Sequence, residues 1–439
     1  MPAVWTAEKT VALPQPKRHL HHPSPVSPGF VAPTAARHLS FRPIALAGAI
    51  ARTATTQEGA PLELLERRAS NALSDLEYLV ADGSTFELSP NLNYLIDIER
   101  THFAGQVGSG ITHLYMESLG YNWRANASCL TAKREPHGDL LYDHGNAFGH
   151  GVVLAEAHGS FSERATAKQI QKKCEEKYLR QVKPWVGASS IHGKVIHGYS
   201  VAFGCRPGMT GASVALSETR INKPRRKADI PPMADSEESA SLAPTSMALT
   251  SHRSNFLLMG ARPVVKWIDW LRGTADVPAE RGPIDFLVLD YADRQFLASI
   301  SPLLPPALLR GWFDDSYPHP LFWRHASRLF ASGIDAARPS IGWFVMELAA
   351  GERFLRDLSS MIRGGRDAQP ARLDLPPLVP EGFGFGGEFA MRDRVSRDYD
   401  YAMFSDGLAL LGAPKRDPIV GSVVWSPKEG CSEVSRFQR

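Results

Sequence analysis

The chain has 439 residues, of which 43% are hydrophobic and 22% charged, and its formal net charge is +3. That composition excludes a histone-like polycation, and the length allows full-size cores without disulfide or metal staples. No run approaches the roughly 18 consecutive apolar residues of a membrane-spanning helix, so no membrane partner is expected. Four scattered cysteines, Cys129, Cys174, Cys205 and Cys431, form no C-x-x-C pair. They suit a reducing compartment and point to the cytoplasm.

The positive charge is concentrated at the N-terminus. Residues 1–57 carry Lys9, Lys17, Arg18, Arg37, Arg42 and Arg52 against Glu8, a net +5, so residues 58–439 sum to −2 against the whole chain's +3. Residues 1–60 are rich in Pro, Ala and His and lack sustained periodicity, so they read as a disordered tail. The Arg-rich, acid-poor stretch from Arg37 to Arg52 also has the composition of an organelle transit segment, a competing destination.

Beyond the tail, Leu65, Ala69, Ala72, Leu73, Leu76 and Val80 recur at helical spacing and predict a helix over 62–80. Mixed helix and strand patterns then continue to about residue 221, defining a first domain over 61–221. Within it, two apolar runs around 139–143 and 152–158 flank a Gly/Asn-rich loop and predict an antiparallel hairpin. On the second strand Val152, Leu154, Glu156 and His158 share one face. With the loop centred near 148, Glu156 falls opposite Leu140 and Asp139 lies one residue from facing it. Buried carboxylates need a partner, hydrogen bonds or a cation, and two on adjacent strands can hold a hard ion such as Mg²⁺. Asp143 is the reserve for Asp139.

Ser162 is the predicted cap of a helix over 163–182, in which Ile170, Cys174, Tyr178 and Val182 recur every four residues. Lys168 and Gln169 fall on its other faces. A strand over 195–204 follows. Its even face (Gly198, Ser200, Ala202, Gly204) is small enough for a helix to pack closely.

A strand bearing Asp, a strand ending in Glu156-Ala157-His158, a helix bearing Gln169 and a further strand follow in that order. Over about residues 136–205 this succession resembles the core of the PD-(D/E)xK, or restriction-endonuclease-like, superfamily. There an Asp precedes a (D/E)-x-K strand end, and the next helix often adds Gln or Lys. The resemblance implies a mixed-sheet core, Mg²⁺ held by Asp139 and Glu156, and phosphodiester hydrolysis on a nucleic acid. His158 stands where the motif has Lys, so His158 would handle the attacking water, with Gln169 or Lys168 assisting. The competing class is a non-enzymatic interaction or scaffold protein whose carboxylates are satisfied by local partners.

His144, His150, His158, His192 and His197 each precede Gly and show no H-E-x-x-H spacing, so they read as incidental rather than zinc-binding. Residues 222–254, with basic, acidic and Pro/Ser/Ala clusters in turn, read as a linker. In them Lys223, Arg225, Arg226 and Lys227 form a charge run. The remainder, 255–439, reads as mainly helical and ending in strands, with a hairpin turn at Asp406-Gly407 and a flexible aromatic-glycine loop over 381–387. The expected whole is an α+β protein.

Overall fold

The fold comes from a computed structural model, which describes residues 8–21, 30–57, 61, 64–65, 75–76, 78–131, 135–144, 151–220, 242–279, 281–299, 344–385, 401–412 and 419–436. Most of the helix expected over 62–80, the basic run at 223–227 and the aromatic run near Trp323 lie outside these residues. The described chain is α+β and is built around two large sheets.

The first sheet contains β1 (Lys17–Leu20), β2 (Tyr121–Asn126), β3 (Leu140–His144), β4 (Val152–Ser160), β5 (Gly193–Cys205) and β6 (Ala212–Arg220), in the order β1-β6-β5-β4-β3-β2. Strands β2, β3 and β4 form an antiparallel meander, β5 runs parallel to β4, and β6 returns antiparallel to β5. The parallel β4–β5 step requires a crossover, and the helix over 167–177 supplies it.

One helix covers each face. Asp97–Ser118 lies on the face of Tyr199 and Phe203, where Tyr115 meets Tyr199 edge-on. The crossover helix, Ala167–Lys177, lies on the other. The small even face of β5 admits it: a Cβ on Gly198 would stand 2.2 Å from Val182, and one on Gly204 would stand 2.4 Å from Ile170. Ile170, Cys174, Tyr178 and Val182 are all buried, as the four-residue spacing requires. The helix is capped by Thr166, whose hydroxyl accepts the N–H of Gln169, and not by Ser162. It starts four residues later than the sequence suggests because an irregular stretch over 161–166 first turns the chain away from β4.

On the opposite face Gly108 and Gly159 let helix and strand backbones touch; a Cβ at Gly159 would fall 1.6 Å from the carbonyl oxygen of Ala104. Backbone cannot yield as a flexible side chain can. Gly159→Ala is therefore expected to cost about 1–3 kcal/mol or more, measured by urea unfolding. A loss under about 0.5 kcal/mol, the range of neutral surface changes, would contradict this packing.

The second sheet is antiparallel throughout. It contains β7 (Ile284–Tyr291), β8 (Arg294–Ser299), β9 (Phe344–Glu347), β10 (Tyr401–Met403), β11 (Leu408–Leu411) and β12 (Ile419–Ser426), in the order β10-β11-β9-β8-β7-β12, with short strands beyond β12. The described part of 255–439 is thus organised by a sheet and is not mainly helical. Both faces of its first hairpin are buried, Phe286, Val288 and Leu297 in one cluster and Leu287, Leu289 and Phe296 in another, and the turn that creates it is Ala292-Asp293 at φ 52° and 59°. Two non-glycine residues in the left-handed region are an uncommon way to make a two-residue hairpin turn. The hairpin expected around Asp406-Gly407 is present between β10 and β11.

Three sequence expectations are corrected by burial. Of the tail expected over 1–60, residues 1–7, 22–29 and 58–60 lie outside the described residues, whereas Lys9–Ala12, β1, His38–Phe41 and a helix over Pro43–Ala54 are built into the fold. That helix is Ala/Ile/Leu-rich and buried on every side; a helix of this kind has no amphipathic periodicity to read. The expected linker over 222–254 gives way, from residue 242, to a strand and to the helix Thr245–Leu258, which is almost wholly buried against β2. Its Ser and Thr hydroxyls bond to backbone and to the hydroxyl of Thr55, which suits a polar composition to a buried site. Within the expected glycine loop, Phe383–Phe385 pairs with His38–Phe41 as a strand.

Numbering the helices that recur below, α1 is Pro43–Ala54, α2 Asp97–Ser118, α3 Ala167–Lys177, α4 Thr245–Leu258, α5 Arg262–Leu271 and α6 Leu348–Gly364. Among the described residues no helix is long and apolar enough to cross a membrane.

Candidate functional site

The β3–β4 ladder pairs Leu140 with Ala155, Leu141 with Leu154 and Tyr142 with Val153. Continued by one step, it sets Asp139 directly opposite Glu156, one residue closer than a loop centred at 148 implies. The Asp139 N–H donates to the carbonyl of Ala155 at 2.9 Å, and the Asp139 carboxylate accepts the N–H of Ala157 at 2.8 Å. Its side chain thus lies along the strand edge, beside the carboxyl of Glu156.

The approach to Asp139 is held from below by the end of the crossover. After α3 the chain makes a π-helical turn, Tyr178–Val182, and a 3-10 turn, Lys183–Trp185. Gln181 donates to the carbonyl of His137 at 3.0 Å, and the Trp185 indole donates to that of Pro136 at 2.8 Å. Gly138 tucks against Leu154 and the Ala155 carbonyl, where a Cβ would be tight at 3.0 Å.

Glu156 is 1% exposed. Its Oε1 accepts from the Lys177 ammonium at 2.9 Å, while its Oε2 receives no hydrogen bond. Burial and the neighbouring Asp139 carboxylate push its pKa up to about 8, against the opposing pull of Lys177. Asp139 is also raised, by burial, with the Ala157 amide opposing. Two carboxyls in contact with one orphan oxygen need either a shared proton or a cation between them.

His158 lies one residue pair further along the same face and is partly buried. Burial, then the charges of Lys177 and Lys173, push its pKa down to about 4, so it is a neutral imidazole near pH 7. Lys168 and Gln169 sit exposed at the first turn of α3, nine and eight residues from Lys177 and hence more than 10 Å along the helix. The structure does not bring them to the carboxyl pair. Asp143 is on the correct face but two pairs away, opposite Trp123, and its charge bears on Tyr121 and Arg372 instead.

Lys177 is the site residue that the sequence reading missed. The signal was there in the spacing, since residue 177 is seven from Ile170 and therefore on the buried stripe of α3, beside Tyr178. Among the described residues no three His, Cys, Asp or Glu side chains gather as metal ligands. The donor set on offer is two carboxylates, whose free oxygens fit a hard ion that keeps most of its water. His197 is buried between Phe30 and Tyr199 with neither ring nitrogen hydrogen-bonded. The Cys205 thiol is pushed up to about 11 by burial, which does not suit a nucleophile.

Comparison of this chain with known protein families, with curated proteins and with solved structures found no match.

Proposed function

We propose that the chain is a metal-dependent phosphodiesterase acting on nucleic acid, with a restriction-endonuclease-like core over about residues 136–205. The observation that carries this reading is the buried Glu156 carboxyl, which takes the Lys177 ammonium at 2.9 Å and has the Asp139 carboxyl beside it. The strand–strand–helix–strand order on which the resemblance rests is the order of β3, β4, α3 and β5, and it supports the reading. The ammonium missing from position 158 would be supplied from the end of α3. Asp139 and Glu156 would hold Mg²⁺, which when bound supplies an activated water and offsets charge on the phosphodiester. Lys177 would orient that water and screen the phosphate; neutral His158 can accept or pass on a proton. Lys173, beside His158, adds positive potential for a polyanion.

One observation favours a non-enzymatic interaction protein: the Lys177–Glu156 ion pair is a local partner that satisfies half of the carboxylate. Two cavities among the described residues, beside His252 and beside His102, also lie apart from this pair. The deciding experiment incubates the protein with DNA and RNA, with and without Mg²⁺ or Mn²⁺. Cleavage is expected to need the ion and to fall by at least about 100-fold in Glu156→Ala and Lys177→Met. Cleavage that persists in Glu156→Ala sinks the mechanism, and no cleavage under any condition favours the interaction protein.

A further inference from the structure

A second polar feature lies where the two sheets meet, away from the carboxyl pair. Here α4 carries His252 into a cavity of about 100 Å³ bounded by Trp123 of β2 and the first turn of α6. The apolar walls include Trp123, Leu375 and Leu378, and the polar groups are His252, Glu347 and Arg353. Asp406 also borders the cavity, but both its oxygens are already engaged by Arg52, Arg124 and Asn255.

His252 is 1% exposed, and neither ring nitrogen has a hydrogen-bond partner. Its ring is held flat on Phe354, with centroids 3.8 Å apart. A neutral imidazole has one donor and one acceptor, and leaving both unmet in a buried ring is unfavourable. Burial keeps this imidazole neutral, with a pKa pushed down to about 4.

Charges of both signs surround it. The Glu347 carboxylate accepts the Ala350 N–H through Oε2 at 2.8 Å and retains Oε1. Arg353 is half exposed and only loosely paired, 3.7 Å from Asp374. Glu347 is itself the N-cap of α6, so its carboxylate already holds the negative charge that the start of this helix favours. Arg353 therefore suits a carboxylate, while Glu347 and the imidazole lone pair suit an ammonium. The apolar walls leave room for a short alkyl group. A volume that holds several waters holds a molecule of about six heavy atoms.

We infer that this cavity binds a small zwitterion, an α-amino acid with a short aliphatic side chain, its carboxylate toward Arg353 and its ammonium toward Glu347 and His252. The experiment is isothermal titration and thermal melting of the full chain with L-alanine, propionate and n-propylamine. L-alanine is expected to bind saturably and raise the melting temperature; propionate and propylamine, each lacking one charge, are expected to bind at least tenfold more weakly. Ala349→Leu, at an exposed position on the rim, fills the mouth and removes the response while leaving the unliganded melt unchanged. Arg353→Gln weakens L-alanine at least tenfold without altering the walls. No saturable response to L-alanine, an equal response to propionate or propylamine, or a response that survives both variants overturns the assignment.

Discussion

Asp406→Ala is expected to destabilise the protein by about 3–5 kcal/mol, because it strips the anion from two buried guanidiniums. Arg52 and Arg124 are fully buried, and both reach Asp406: Arg52 donates to Oδ1 at 3.0 Å and to Oδ2 at 2.9 Å, and Arg124 donates to Oδ2 at 3.3 Å. Asn255 adds a donor at 2.8 Å. Arg52 comes from α1, Arg124 from β2, Asn255 from α4 and Asp406 from the β10–β11 turn, so one carboxylate ties both sheets to the N-terminal helix.

Glu117 of α2 makes the loss smaller than the full penalty. Burial pushes its pKa up to about 7; Arg52 pulls it down while Asp406 pushes it further up. With Asp406 gone, Glu117 ionises more readily and can offset Arg52, which it already meets at 3.2 Å. The Asp406→Ala/Glu117→Gln double variant should therefore lose more than the sum of the single losses. Urea unfolding of the cycle measures both quantities. A single-site loss below about 1 kcal/mol would mean that Arg52 and Arg124 find other partners, and strict additivity would mean that Glu117 does not respond.

This network also shows what could and could not be read from the sequence. Arg52 counted toward a basic tail, because a lone Arg in an Ala-rich segment carries no mark of a partner 354 residues away. The same holds for α4, whose Ser, Thr and His content reads as solvated loop until the neighbours that bond to it are known. Patterns internal to one element were legible: the four-residue stripe of α3, the small face of β5 and the shared face of Glu156 and His158. The register of β3 against β4 depends on a loop length and was off by one, and the strands of the second sheet were obscured by a turn without glycine. Lys177 belongs to the same class of miss. Its spacing was visible, but its meaning rests on where the crossover ends.

The carboxyl pair gives the second large effect, and its sign is opposite to that of an ordinary ion pair. Free Glu loses its proton near 4.5, whereas Glu156 holds its own to about 8. Between those values the folded state binds the extra proton, so stability falls as pH rises, by about 1.4 kcal/mol per pH unit and up to roughly 5 kcal/mol across the window. Glu156→Gln, uncharged at every pH, should flatten this dependence and be the more stable protein at pH 8. Lys177→Met removes the cation that holds the Glu156 pKa down, so its decline should extend to higher pH than in the wild type. A divalent ion that needs both carboxylates ionised should act the other way, raising the melting temperature of the wild type at pH 8 and leaving Glu156→Gln unmoved. Melts across pH 5–9, with and without Mg²⁺, separate these cases without a substrate. A flat wild-type profile would mean that Asp139 and Glu156 share no proton. A pH-dependent profile that Mg²⁺ leaves unchanged would keep the shared proton but remove the metal from the proposed reaction.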